Sequence, residues 1–78
     1  MRELILINIS GKDRPGLTYS LTEILAYYGV HVLDIGQSVI HDTLVLGILI
    51  EVPPESESRP VLRDVLFRAH ELDLHADF

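Results

Sequence analysis

The sequence predicts an α+β sandwich, a four-stranded antiparallel sheet with two helices on one face, in the order βαββαβ. Three observations predict it. The hydrophobic period switches twice from strand-like to helix-like, over residues 15–28 and 59–72. Between those stretches runs a long apolar alternation, broken at the adjacent polar pair His41-Asp42. The last residues alternate again, so a fourth strand closes the pattern.

Leu4-Ile5-Leu6-Ile7-Asn8-Ile9 is short, branched and continuous, and is bounded by Ser10 and Gly11, which favours a buried central strand. Gly11-Lys12-Asp13-Arg14-Pro15-Gly16 is the turn that follows. Asp13 is placed as an N-cap, Pro15 in the first helical turn, and Gly16 where a ligand or backbone can approach closely. A strand feeding such a turn presents the first N–H groups of a helix as a binding mouth, although the same residues also make a plain strand-to-helix cap. Leu17, Leu21, Ile24, Leu25 and Tyr28 form one helical stripe, and Gly29 stands at the C-terminal cap.

A two-residue turn at His41-Asp42 sets Val39 opposite Leu44, Gln37 opposite Leu46, Ile35 opposite Ile48 and Gly36 opposite Gly47. One face of that hairpin is almost wholly apolar and belongs under the helices. The other carries Gly36, Ser38, Ile40, Thr43, Val45 and Gly47. Pro53-Pro54 ends the third strand, and a polar stretch over residues 55–58 leads into the second helix. Val61, Leu62, Val65, Leu66, Ala69 and Leu72 are its expected buried stripe, with Arg63, Asp64, Arg68 and Glu71 outside; no glycine marks its end. Residues 74–78 read as an edge strand. The whole is ferredoxin-like. Its uncovered sheet face, with Ile40, Val45 and Leu49, predicts self-association.

At 78 residues the chain holds one core and buries only about 60–65% of its unfolded surface, so a parent chain or a partner copy is expected to support it. It has no cysteine, which removes disulfides and thiolate metal sites and fits a reducing compartment, with cytoplasm the expected location. Six basic against twelve acidic residues give a net charge of −6, which opposes binding to nucleic acid, to an anionic membrane or to a phosphorylated metabolite. The start, Met1-Arg2-Glu3, is not that of a signal peptide, and the apolar runs are too short to span a membrane. The sequence stops mid-pattern at Phe78, which reads as a domain cut from a longer chain.

No catalytic constellation emerges. His70 and His75 are five apart, about 140° around a helix, where a zinc-protease motif needs four. His31 with Asp34, and His41 with Asp42, are local pairs of the kind that hydrogen-bond at a surface. Lys12 precedes Asp13, so the glycines around it make no P-loop, and no serine sits in a Gly-x-Ser-x-Gly elbow. The residues describe a binding module without catalytic, cofactor or metal chemistry of its own.

Residues 9–17, Ile-Ser-Gly-Lys-Asp-Arg-Pro-Gly-Leu, and residues 29–35, Gly-Val-His-Val-Leu-Asp-Ile, resemble the ACT domains, small regulatory modules that bind amino acids. The resemblance covers essentially all of residues 1–78. Residues 34–44 with Gly47-Ile48-Leu49, and Leu66-Phe67 with residues 69–72, look like the N-terminal ACT domain of bacterial phosphoserine phosphatases. That resemblance implies a regulatory and oligomerising module of a phosphoserine phosphatase of L-serine biosynthesis. The parent would be an Mg²⁺-dependent phosphomonoester hydrolase whose catalytic domain, and the metal with it, lie C-terminal to these residues.

The resemblance also implies a small amino acid, serine or glycine, bound between two domains, either two copies of this chain or this domain and another ACT domain of the parent. Carried over by position, it nominates Gly11, Asp13, Gly16 and Leu17 on the loop of one copy, and His31 with Val32 on the second strand of its neighbour. Serine-binding ACT domains carry Asn at the positions of Asp13 and His31; an Asn both donates and accepts, whereas an ionised Asp only accepts. Two alternatives stand beside this reading. One is an ACT domain kept for structure or dimerisation without a ligand. The other is a stand-alone ACT regulator, or the ACT part of a folate deformylase or glycine-cleavage regulator.

Overall fold

A computed structural model describes residues 3–78. The elements are β1 (Glu3–Lys12), α1 (Leu17–Tyr28), β2 (His31–Ile40), β3 (Thr43–Val52), α2 (Ser58–Glu71) and β4 (His75–Asp77). The strands form one sheet in the order β2-β3-β1-β4, with every neighbouring pair antiparallel. This is the expected βαββαβ sandwich.

The core lies between one sheet face and the two helices. Ile7 and Ile9 of β1, and Leu44, Leu46, Ile48, Ile50 and Val52 of β3, pack with Leu17, Leu21, Ile24 and Leu25 of α1 and Val61, Val65 and Ala69 of α2. Among the described residues no polar or charged side chain is buried. Each fully buried aliphatic side chain contributes roughly 1.5–3 kcal/mol against a large entropic cost, so this small core holds a modest net stability.

The hairpin register is as expected: Val39 faces Leu44, Gln37 faces Leu46, Ile35 faces Ile48 and Gly36 faces Gly47. His41 and Asp42 both take positive φ, 50° and 66°, as the tight turns that match strand twist require. A register shift at Leu33, between Val32 and Asp34, bends the start of β2.

Four expectations are corrected. β1 runs on to Lys12, because Ser10, Gly11 and Lys12 continue its ladder against Val45, Leu44 and Thr43. Only its odd-numbered side is buried, and Leu4 and Leu6 lie on the open face, 60% and 51% exposed, opposite Glu51 and Leu49 of β3. β2 is an edge strand exposed along its whole length, so its apolar residues Ile35 and Val39 are not covered by the helices. Leu66 of α2, assigned to the buried stripe, is 44% exposed, with Phe67 beside it at 67%.

Both helices end the same way. Val30 N–H donates to Leu25 C=O at 3.3 Å past Gly29, and Leu74 N–H donates to Ala69 C=O at 2.8 Å past Asp73. Gly29 and Asp73 take the left-handed φ that this six-residue closure needs, 68° and 59°. Asp73 therefore serves where a glycine was missed.

Candidate functional site

Residues 13–16 join β1 to α1 and are pinned at one end by Asp13 N–H, which donates to Asp42 C=O of the hairpin turn at 2.8 Å. Gly16, not Asp13, is the N-cap of α1, with φ 85° and ψ 0°. The helix therefore begins at Leu17, with Pro15 outside it. A glycine cap has no side chain to bond the helix, and no other side chain caps it. Gly16 C=O accepts from Ser20 N–H at 2.9 Å, opening the helical ladder. The N–H groups of the first turn have no intrahelical acceptor, and the positive end of the helix dipole lies among them. No acidic residue in that turn offsets it.

Residues 13–19 and Gln37 line an open cleft of about 490 Å³ at this helix start. Thr18 Oγ1 donates to Gln37 Oε1 at 2.6 Å, tying α1 to the edge strand. An Arg14 guanidinium N–H donates to Leu72 C=O at the end of α2, where a cation also suits the negative end of that helix. Leu17 is buried, so its side chain belongs to the core and its backbone alone can face the cleft.

The remaining nominated residues lie elsewhere. Gly11 backs onto the α2–β4 corner: a Cβ there would stand 2.5 Å from Leu74 Cδ2 and 3.3 Å from Asp73 O. His31 is exposed on β2, with Nδ1 3.6 Å from Glu51 Oε1 across the strand pair. Val32 lines a second cleft, of about 460 Å³, with Tyr19, Thr22, Glu23, Ala26 and Val30. One protomer thus gathers Asp13, Gly16 and Leu17, and leaves Gly11, His31 and Val32 apart from them.

Sequence reasoning passed over Thr18, Tyr19 and Gln37. Tyr19 borders both clefts and is exposed, and its place off the apolar stripe was the signal. The Thr18–Gln37 bond joins residues 19 apart and carries no local pattern. Away from the loop, Tyr28 O–H donates to Asp64 across the interhelical groove. That bond, then partial burial and the adjacent carboxylate, raise the phenol above its usual pKa. Among the described residues no three His, Asp or Glu side chains cluster as a metal site. No helix there is long and apolar enough to cross a membrane.

The chain thus sets a βαββαβ sandwich behind a first loop that opens onto a helix start without a side-chain cap, beside an exposed edge strand. The chain belongs to the ACT domain family, which it matches over residues 3–78. It is 42% identical over 60 residues to the phosphoserine phosphatase SerB2 of Mycobacterium tuberculosis, a match covering 77% of this chain and 15% of that enzyme. It is 33% identical over 60 residues to a UPF0237 protein of Neisseria meningitidis, covering 77% of this chain and 67% of that one. An ACT domain protein of Streptococcus pneumoniae has the same fold, with a TM-score of 0.81 at 16% identity over 95% of this chain and 84% of that one. The chain spans about 15% of the length of the phosphatase it matches.

Proposed function

We propose that this ACT domain is a cytoplasmic sensor of a small amino acid, serine or glycine, and regulates a phosphoserine phosphatase of L-serine biosynthesis. The phosphatase chemistry, and the Mg²⁺ it uses, would belong to a catalytic domain outside these residues. The observation that carries the reading is the uncapped start of α1, opening into the cleft of residues 13–19 and Gln37. An amino-acid carboxylate suits those N–H groups and the helix dipole. The ammonium then lies toward Asp13, whose carboxylate does not cap the helix. Both charges need partners, because one left unpaired in a closed site costs several kcal/mol.

The cleft is open in a single copy, and β2 is exposed along its edge. A second domain pairing there would close the site, bringing its own His31 and Val32 against the loop. Calorimetric titration with L-serine and with glycine, on the unmodified protein and on Asp13→Ala, tests the reading. Millimolar binding that is lost in the variant is the expected result. No heat from either ligand, from a protein that sediments as a dimer, would refute sensing and leave a structural domain. The Neisseria relative, two-thirds of which this chain spans, favours a second reading in which the ACT domain acts as a stand-alone regulator.

A further inference from the structure

The outward side of α2 is unlike the rest of the surface. Leu62, Leu66 and Phe67 form an apolar strip there, bordered by Arg59, Arg63 and His70, and together these six line an open groove of about 540 Å³. Leu66 and Phe67 are exposed, while Leu62 is half-buried and packs against the core, so the strip runs from the core margin out onto open surface. Arg59 and Arg63 stand four apart, about one turn along the helix, which keeps both beside the strip. This concentration stands out in a chain with twelve acidic and six basic residues. Among the described residues, Asp64 Oδ1 is 3.7 Å from Arg63 Nε, an exposed pair of little strength, with Asp64 also held by Tyr28, and Arg59 borders a smaller neighbouring cleft with Glu3 and Glu57.

We propose that this face of α2 docks an acidic amphipathic helix of a protein partner. The partner's apolar side would cover Leu62, Leu66 and Phe67, and its flanking carboxylates would meet Arg59 and Arg63. Antiparallel contact between two such faces would bring both Arg63 side chains near the centre, and the groove lining supplies no carboxylate to separate them, so an acidic partner suits the groove better than a second copy. The surface is separate from the loop cleft, so it does not depend on amino-acid binding.

The test uses a fluorescein-labelled helical peptide about four turns long, with Leu and Phe on one face and Glu on both flanks. A matched peptide carries Lys in place of Glu. Fluorescence anisotropy should show binding of the acidic peptide alone, weakening as salt rises from about 50 to 300 mM. Arg63→Glu and Phe67→Ser, both at exposed positions, should each weaken it about tenfold or more while far-UV circular dichroism and melting stay unchanged. Equal binding of the two peptides, or full binding by both variants, would overturn the proposal. So would preferential binding to anionic phospholipid vesicles, or self-association abolished by Arg63→Glu, which would make a membrane or a second copy the occupant.

Discussion

Replacing Gly11 by alanine isolates a packing role from a binding role. The added Cβ would stand 2.5 Å from Leu74 Cδ2, a contact real side chains do not make, and 3.3 Å from both Asp73 O and Leu74 Cα. Leu74 Cδ2 can swing aside, but the two backbone atoms must shift with the α2–β4 corner, and Leu74 is a buried core residue. Overpacking of this kind costs about 1–3 kcal/mol, and the φ of 159° at Gly11 suits glycine better than alanine, so no gain from a stiffer unfolded chain offsets it. The expected loss is about 1–3 kcal/mol, or at least roughly 5 °C in melting temperature for a domain of this size. Urea denaturation followed by circular dichroism gives the free energy directly. Leu74→Ala removes the nearest obstacle, so Gly11→Ala should cost markedly less in that background, with a coupling of about 0.5–1 kcal/mol. A Gly11→Ala protein within about 0.5 kcal/mol of the parent, or a cost unchanged by Leu74→Ala, would refute the reasoning. Well below its melting temperature, Gly11→Ala should give the same calorimetric response to serine as the unmodified domain, because the new methyl faces Leu74 and not the loop cleft.

Two further outcomes follow from local geometry. Asp73→Gly should stabilise the domain by about 0.5–1 kcal/mol, seen as a higher urea midpoint, because it relieves a left-handed non-glycine residue and removes a negative charge at the end of α2. For Tyr28, whose folded pKa is raised, the protonated phenol carries the stabilising bond. That contribution is complete below about pH 10 and fades as pH rises through the folded value, so the stability gap between the parent and Tyr28→Phe should narrow in alkali. A gap that widens there would reverse the assignment.

Most of the fold was legible because the pattern is locally consistent. The polar pair His41-Asp42, set between alternating apolar residues, fixed the hairpin register, since a slip of one would turn Leu44, Leu46 and Ile48 to solvent. What escaped depended on where elements lie over one another. Ile35 and Val39 have core-like chemistry, but β2 is the outermost strand and the helices do not cover it. Leu66 fits the helical period, yet Val61, Val65 and Ala69 already fill the space beneath α2. Asp13 is a good N-cap by residue type. It lost to Gly16 because its backbone N–H is held by the hairpin turn, leaving the next flexible residue to start the helix. Three of the six nominated site residues share the loop cleft; the other three are positioned by strand pairing or packing at a distance from it, which no single loop motif records.

The two margins of the sheet are unequal. β2 offers ten residues of open backbone, while β4 offers three, carrying His75 and Asp77 at its ends. A copy that joins its twin across β2 uses the long margin of both, and each outer border of the eight-stranded result is β4 beside the residues of β1, 3–7, that β4 leaves unpaired. That border is stepped, with a three-residue strand set one place farther out than its neighbour, so it offers a third member no straight margin to match the ten residues of β2. Pairing through β2 therefore favours a closed pair related by a twofold axis over a growing fibre.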